Sequence, residues 1–311
     1  PHSHRRPMSP RTRAQWQIHI CVLLWGFTAI LGKLISLPAL PLVCWRMLLV
    51  TGLLLLLPRV WRALQALAPR LLAIYLGIGT LVALHWLAFY ASIKLANASV
   101  AATCIALAPV FLAGVEPLVL RQRFNPRELL LGMAVVPGVA LVVGGMPQAM
   151  LPGFAAGVAS AALVAVFGAL NKRYVHAADP LSVTCLELGG GAALLLVLSL
   201  LWPHAGPALP LPGARDLWLL AVLAVGCTLL PFALSLVALR ELSAFAAQLA
   251  INLEPVYAIV LAILLLGEQR ELGATFYVGV AVILAAVLAH PLLVPAPRAA
   301  AERSANGTPA P

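Results

Sequence analysis

A chain of 311 residues with 62% hydrophobic and only 10% charged residues, at a mean hydropathy of +1.00, lacks the polar surface of a soluble globule, in which roughly a quarter of residues are charged; it reads as an integral membrane protein. The net charge of +10 does not point to nucleic acid, because the basic residues sit in short clusters between apolar runs rather than in one patch. The five cysteines (Cys21, Cys44, Cys104, Cys185 and Cys227) lie inside apolar runs without CxxC spacing or a Cys/His cluster, so they read as small buried hydrophobes, and neither a metal nor a cofactor is implied.

Residues 1–15 form a basic tail carrying Arg5, Arg6, Arg11 and Arg13, in which Met8 is a candidate start. The first apolar run, 16–36, is longer than a signal-peptide core and ends in no small-residue cleavage site, so it is expected to be an uncleaved span. Nine further runs follow at 40–57, 71–93, 98–120, 128–145, 153–171, 181–201, 217–239, 244–266 and 273–290, each close to the ~20 residues that cross a hydrocarbon core. Pro38 and Pro41, Asn125 and Pro126, Pro147 and Pro152, the proline-rich 203–212 loop, and Gly267 with Gly273 mark the cuts. The tail 291–311, rich in Pro, Ala and polar residues, is expected to be disordered.

With the connecting loops assigned alternately to the two sides, fifteen Lys and Arg residues fall on one side and three (Lys94, Arg215, Arg270) on the other. That asymmetry predicts both termini in the cytoplasm of a cell (inner) membrane. Trp16, Trp61, Trp202 and Trp218 fall near span ends, where interfacial anchors belong.

The fourth and ninth runs are one segment occurring twice. A gapless offset of 146 aligns Ala98 with Ala244, Ile105 with Ile251, Leu107 with Leu253 and Pro109 with Pro255. The ninth run follows the fourth by five spans, an odd step, which predicts two inverted five-helix repeats, 16–145 and 153–290, with a substrate site near the midplane between them. Pro109 and Pro255 are expected to kink their helices, since proline has no N–H to give the carbonyl four residues back.

Ionisable groups inside spans are expensive and therefore informative. Glu254 directly precedes Pro255, so a carboxylate, a kink and the carbonyl of Ile251 share one depth, suited to a substrate amine or a proton. Glu116 is either a second polar point on the path or an interfacial carboxylate paired with Arg121 or Arg123. Glu187 precedes Gly189, Gly190 and Gly191, which marks either a hinge beside a carboxylate or tight helix packing. Arg46 suits a substrate carboxylate or a glutamate partner, while Lys33 suits a substrate carboxylate or snorkels outward. His85, with Trp86 beside it and Tyr90 one turn on, is a proton relay or a satisfied core histidine. Trp25 and Trp45 line an aromatic pocket or simply pack. Gln248 and Asn252, one turn apart, are cavity lining or interhelical glue. Glu268 and Glu271, in the GEQRE that ends the ninth run, read as solvated charges.

The stretch Leu253–Gln269 (LEPVYAIVLAILLLGEQ) resembles the ninth-helix signature of the EamA branch of the drug/metabolite transporter superfamily. Ala106–Leu120 resembles the matching fourth helix but ends in Arg121-Gln122 instead of Gly-Glu, Leu23–Lys33 resembles the first helix with its Trp25-Gly26 pair, and Phe167–Val175 resembles the opening of the second repeat. The resemblance spans about residues 16–290. It implies a bundle of ten helices around a central cavity and secondary transport, often export of amino acids or related metabolites. Glu187 departs from the basic residue that relatives often carry in its helix, so cavity charge does not transfer by analogy. The family has no universal substrate residues to carry over.

The function read here is a secondary active transporter of a small metabolite, an exporter by resemblance, working by alternating access and open to proton coupling. A nucleotide-sugar or lipid-intermediate carrier is the alternative, although Arg46 and Lys33 alone would have to serve its phosphates. A membrane-embedded transferase would need paired acids or a His/Asp pair at one surface, whereas the acids here are scattered over several spans. The expected partners are a small-molecule substrate and the bilayer, not nucleic acid, with monomer and homodimer both open.

Overall fold

The computed structural model describes residues 9–174, 176–201, 207, 209–238 and 250–293. Every regular element among them is helical: α1 (Pro10–Leu34), α2 (Ala39–Leu55), α3 (Pro58–Ala66), α4 (Pro69–Leu95), α5 (Ala98–Ile105), α6 (Ala108–Leu120), α7 (Pro126–Ala134), α8 (Val136–Gly144), α9 (Leu151–Tyr174), α10 (Pro180–Leu201), α11 (Ala214–Ala221), α12 (Leu230–Ala238), α13 (Glu254–Leu261) and α14 (Ala274–Leu293). Two π-helical segments, Val222–Leu229 and Ala262–Leu266, follow α11 and α13.

Among the described residues, six helices are long and apolar enough to cross a membrane: Thr12–Leu34, Pro69–Leu95, Ala98–Leu120, Gln148–Tyr174, Pro180–Leu201 and Ala214–Phe232. The α2–α3 pair, bent by 91°, makes a seventh if it is taken as one span. Three shorter apolar helices, Gly132–Gly144, Glu254–Leu266 and Ala274–Ala289, stand where the fifth, ninth and tenth apolar runs were read. The fifth is interrupted by a turn at Val135 just ahead of Pro137, and the first turns of the ninth fall in 239–249, outside the described residues. The outer surface is apolar: Trp16, Leu118, Leu200 and Leu264 are each more than 60% exposed. A solvent-facing surface rarely presents such a belt; lipid tails accept it. The chain is an all-helical, multi-pass membrane protein.

The helices pack across the two halves of the chain in a two-fold pattern. α4 and α6 lie against α9, while α12 and α13 lie against α1; α2 meets α10, and α8 meets α14. Small residues allow the closest approaches, since lipid supplies no hydrophobic drive and helices associate through tight packing. A Cβ on Gly79 of α4 would sit 2.1 Å from the carbonyl oxygen of Glu187 in α10. Gly138 of α8 and Gly279 of α14 face each other's backbones, a Cβ on Gly279 falling 2.6 Å from the Gly138 oxygen.

One end of the bundle is stitched by buried polar bonds. Glu268 is only 1% exposed, which corrects its reading as a solvated charge. Its Oε1 accepts from Ala98 N at 2.9 Å, and its Oε2 accepts from Ser99 N at 2.8 Å and Ser99 Oγ at 2.7 Å. The Asn97 side chain caps Val100 N at 3.0 Å, and Ala101 N bonds to Asn97 O at 3.1 Å. The four N–H groups that open α5 are thereby all satisfied. Burial of the charge is repaid because a helix N-terminus and three donors converge on it. Asn97 Nδ2 also donates to Glu271 at 2.9 Å. At the same end Gly273 N donates to Gly145 O at 2.9 Å, Ser36 donates to the buried Asp216 through N (3.1 Å) and Oγ (2.5 Å), and Lys94 donates to the carbonyl of Ile35.

The opposite end is joined by exposed pairs. Arg59 in α3 meets Asp179 at 2.5 Å, and Lys172 meets Glu116. Arg173 donates to the Val119 carbonyl at 3.2 Å, near the C-terminus of α6.

Candidate functional site

The two copies of the duplicated segment break at the same place. In the first, α5 ends at Ile105 and α6 starts at Ala108, with Pro109 in its first turn. In the second, the chain turns at Asn252 and Leu253 and α13 starts at Glu254, with Pro255 in its first turn. The residues preceding each new helix have nearly the same backbone: Leu107 at φ −81°, ψ −11° and Leu253 at φ −84°, ψ −8°. Proline cannot continue the incoming hydrogen-bond ladder but is preorganised for a first turn, so it ends one helix and begins the next.

A narrow cavity, with room for about one water molecule, lies against these breaks. Trp25 and Ala29 of α1, Phe89 of α4, Ala102 and Ile105 of α5, and Glu254, Pro255 and Ala258 of α13 line it. Glu254 stands at the first position of α13, where the helix dipole favours a carboxylate. The corresponding position of the first repeat is Ala108, so the cavity is charged from one side only. Trp25 is brought here by its neighbour. A Cβ on Gly26 would lie 3.2 Å from Ala258 N, which shows how closely α1 and α13 pack.

Arg46 of α2 is 3% exposed and held by neutral groups. Its Nη1 donates to Tyr90 Oη at 2.8 Å, and Nε and Nη2 donate to Thr228 Oγ1 at 3.1 and 2.9 Å. Its guanidinium carbon lies 3.8 Å from the ring centre of Trp86. Hydrogen bonds to a charged group contribute about 1.5–3 kcal/mol each, and a desolvated cation–π contact about 2 kcal/mol. Together these offset the several kcal/mol that burying a cation costs. Arg46 therefore needs no carboxylate, and among the described residues it has none in an ion pair. Neither of the two ion pairs among the described residues joins it to Glu254.

Thr228 was not found by reading the sequence. It lies in the π-helical segment, where its hydroxyl donates to the Leu223 carbonyl five residues back at 2.9 Å and presents lone pairs to Arg46. Such wide turns often mark functional positions. A signal did exist for the aromatic side of the cage, because Trp86 and Tyr90 are one helical turn apart and share a face.

The other candidates separate from this cavity. His85 is 8% exposed on the α4–α9 contact, with Nδ1 at 2.8 Å from Ser160 Oγ and 2.9 Å from Ser160 O, and its ring beside Phe89 and Phe167. Glu116 pairs with Lys172 rather than with Arg121 or Arg123. Arg121 instead turns the chain at the end of α6, so the nearest cation is on α9. Glu187 meets Asn171 of α9 at 3.3 Å. Asn252 stands at the helix break beside Glu254 and is half-buried, whereas Gln248 lies outside the described residues. Trp45 donates to the Pro210 carbonyl at 2.9 Å. Among the described residues no three His, Cys, Asp or Glu side chains are grouped to hold a metal ion.

The fold and sequence have known counterparts. A solved crystal structure of another protein, 17% identical, superposes with a TM-score of 0.60 over 91% of this chain and 97% of its own, which shows a shared fold. No curated protein matches the chain. The model of the EamA-like transporter family matches it twice in succession, over residues 13–144 and 151–289. With two consecutive copies covering nearly all of an all-helical membrane chain, the protein belongs to the EamA-like transporter family of the drug/metabolite transporter superfamily.

Proposed function

We propose that this transporter moves a small zwitterionic metabolite, an amino acid or close derivative, outward across a cell (inner) membrane by alternating access. One observation carries the substrate class. Glu254 and Arg46 carry opposite formal charges and form no ion pair with each other or with any other described residue. Beside Glu254 lies an aromatic and apolar lining of Trp25, Phe89 and Ile105. A substrate amine fits Glu254, its carboxylate fits the N–H groups that Arg46 has left over, and its side chain fits the aromatic wall. A phosphorylated carrier substrate would ask for several cations, whereas Arg46, which stands behind the lining, is the one buried Lys or Arg among the described residues.

The architecture we propose is ten membrane crossings in two inverted five-helix repeats, 16–145 and 153–290, with both termini cytoplasmic. The fifteen-to-three distribution of basic loop residues supports it, as does the two-fold packing pattern. On that orientation the stitched end is the outer one, so the cavity in this conformation is closed to the outside. Purified protein in vesicles should exchange labelled amino acids for unlabelled ones, and Glu254→Gln should abolish the exchange. Full exchange in that variant would remove Glu254 from the substrate site. Single-cysteine labelling of the loops tests the topology separately.

A further inference from the structure

Glu187 and Asn171 form a second polar site, away from the cavity. Glu187 lies seven residues into α10 and is 8% exposed; Asn171 lies near the C-terminus of α9. Asn171 Nδ2 donates to Glu187 Oε2 at 3.3 Å. The other two polar atoms of the pair, Glu187 Oε1 and Asn171 Oδ1, are buried with no hydrogen-bond partner. Both are acceptors when the carboxyl group is ionised. Turning the amide over would not help, because its oxygen would then face Glu187 Oε2, acceptor against acceptor.

Among the described residues no neighbour donates to the two orphaned atoms or forms an ion pair with Glu187. On α4, the Tyr75 hydroxyl donates to the Tyr174 carbonyl at 3.0 Å. On α2, Arg46 is turned to Tyr90 and Thr228, and Thr51 Oγ1 is itself buried without a partner. On α3, Arg59 is paired with Asp179 at the end of α10. On α9, Lys172 is paired with Glu116, and Arg173 donates to the Val119 carbonyl. Two oxygens and an amide are also too few to replace the six or so ligands of a hard metal cation.

We propose that Glu187 is a proton-binding site, closed in this conformation as a carboxylic acid–amide pair with Asn171 and separate from the substrate cavity. One proton satisfies both orphaned acceptors. It forms the O–H bond on Oε1, which donates to Asn171 Oδ1, while Asn171 Nδ2 continues to donate to Oε2. The proton is taken from hydronium at the end of the bundle where α9 ends and α10 begins, leaving water. Its release requires α9 and α10 to part, which couples protonation to helix motion. The link from this proton to transport rests on the secondary-transport reading; the protonation itself does not.

Infrared difference spectroscopy between mildly acidic and alkaline pH, on full-length protein in lipid nanodiscs without substrate, tests the site. The wild type should show a protonated-carboxyl C=O band that is lost in Glu187→Gln and kept in Glu254→Gln. In Asn171→Leu the band should persist at a shifted frequency, which keeps the test decisive if the glutamine variant does not fold. Identical bands in wild type and Glu187→Gln, or an unshifted band in Asn171→Leu, would overturn the proposal. In vesicles, accumulation driven by a pH gradient should fall in Glu187→Gln to the level reached without a gradient. Failure of the Glu254 exchange test with the infrared result intact would sink the substrate assignment alone.

Discussion

Removing the Glu268 carboxylate should destabilise the whole bundle, because this side chain from the second repeat completes the first turn of α5 in the first. In Glu268→Ala, the N–H groups of Ala98 and Ser99 lose their acceptors inside a site that is 0% exposed at both residues. A buried donor left unsatisfied costs about 1–3 kcal/mol, and the lost charge at a helix N-terminus adds about 1 kcal/mol. The sum is about 3–7 kcal/mol even if the Ser99 hydroxyl turns to another acceptor. At about 2–4 °C per kcal/mol for chains somewhat smaller than this one, the melting temperature should fall by on the order of 10 °C. Glu268→Gln keeps one acceptor oxygen for Ser99 and loses the charge and the bond to Ala98, so its cost should be about 2 kcal/mol. Both are measured by thermal unfolding of purified protein in detergent, followed by tryptophan fluorescence. A Glu268→Ala protein melting within about 2 °C of the parent would refute the argument that this buried charge acts as the cap of α5.

Three further outcomes follow from the geometry. Gly79→Val places a side chain where a Cβ already overlaps the Glu187 carbonyl, so α4 and α10 must part at a cost of about 3 kcal/mol or more; little monodisperse protein should be recovered in size-exclusion chromatography. Arg121 occupies the left-handed region at φ 56° where its counterpart Gly267 sits at φ 68°, so Arg121→Gly should raise stability by about 0.5–1 kcal/mol, read as a higher melting temperature. Burial alone would push the Asp179 carboxyl above its ordinary value, but hydrogen bonds from Arg59 and from the Ser182 N–H and hydroxyl, with the Arg59 charge, prevail and hold it below. A lowered folded value contributes stability above the ordinary value near 3.8 and loses it as pH falls through the folded one. Asp179→Asn should therefore lower the melting temperature near neutral pH, and the difference from wild type should shrink on strong acidification.

The features legible in the sequence are those set by local chemistry. Hydropathy finds the runs that become helices, and proline finds the breaks at Ala106–Leu107 and Asn252–Leu253, because a missing N–H acts within one turn. Glu254 is legible for the same reason: it stands next to the proline that starts its helix. What escapes is fixed by partners far along the chain. Glu268 looks like a surface charge until α5 arrives from 169 residues away to point its N–H groups at it. Thr228 meets Arg46 across 182 residues, and it does so through a π-helical turn that leaves no trace in hydropathy. Asn171 looks like part of a polar helix end until α10 brings Glu187 against it.

Duplication explains the scaffold, and the departures from duplication explain the chemistry. The offset that aligns Pro109 with Pro255 also aligns Arg121 with Gly267, Gln122 with Glu268 and Ala108 with Glu254. The first and last pairs share a backbone role, the left-handed turn and the first helical position, and in the last two pairs the second repeat alone carries a carboxylate. A glutamine in place of Glu268 lacks the charge that makes a buried helix cap strong, and Gln122 is exposed at the end of α6. Two ends built on one plan thus differ in how firmly they close. The end held by Glu268 has a dry, charge-assisted joint, whereas the end bearing Gln122 relies on exposed pairs such as Lys172–Glu116, which water and salt weaken. For two rocking repeats, that difference biases the resting state toward closure at the Glu268 end. The same asymmetry puts Glu254 on one wall of the cavity, so the bias and the proposed substrate contact both come from positions where the second repeat carries a carboxylate that the first lacks.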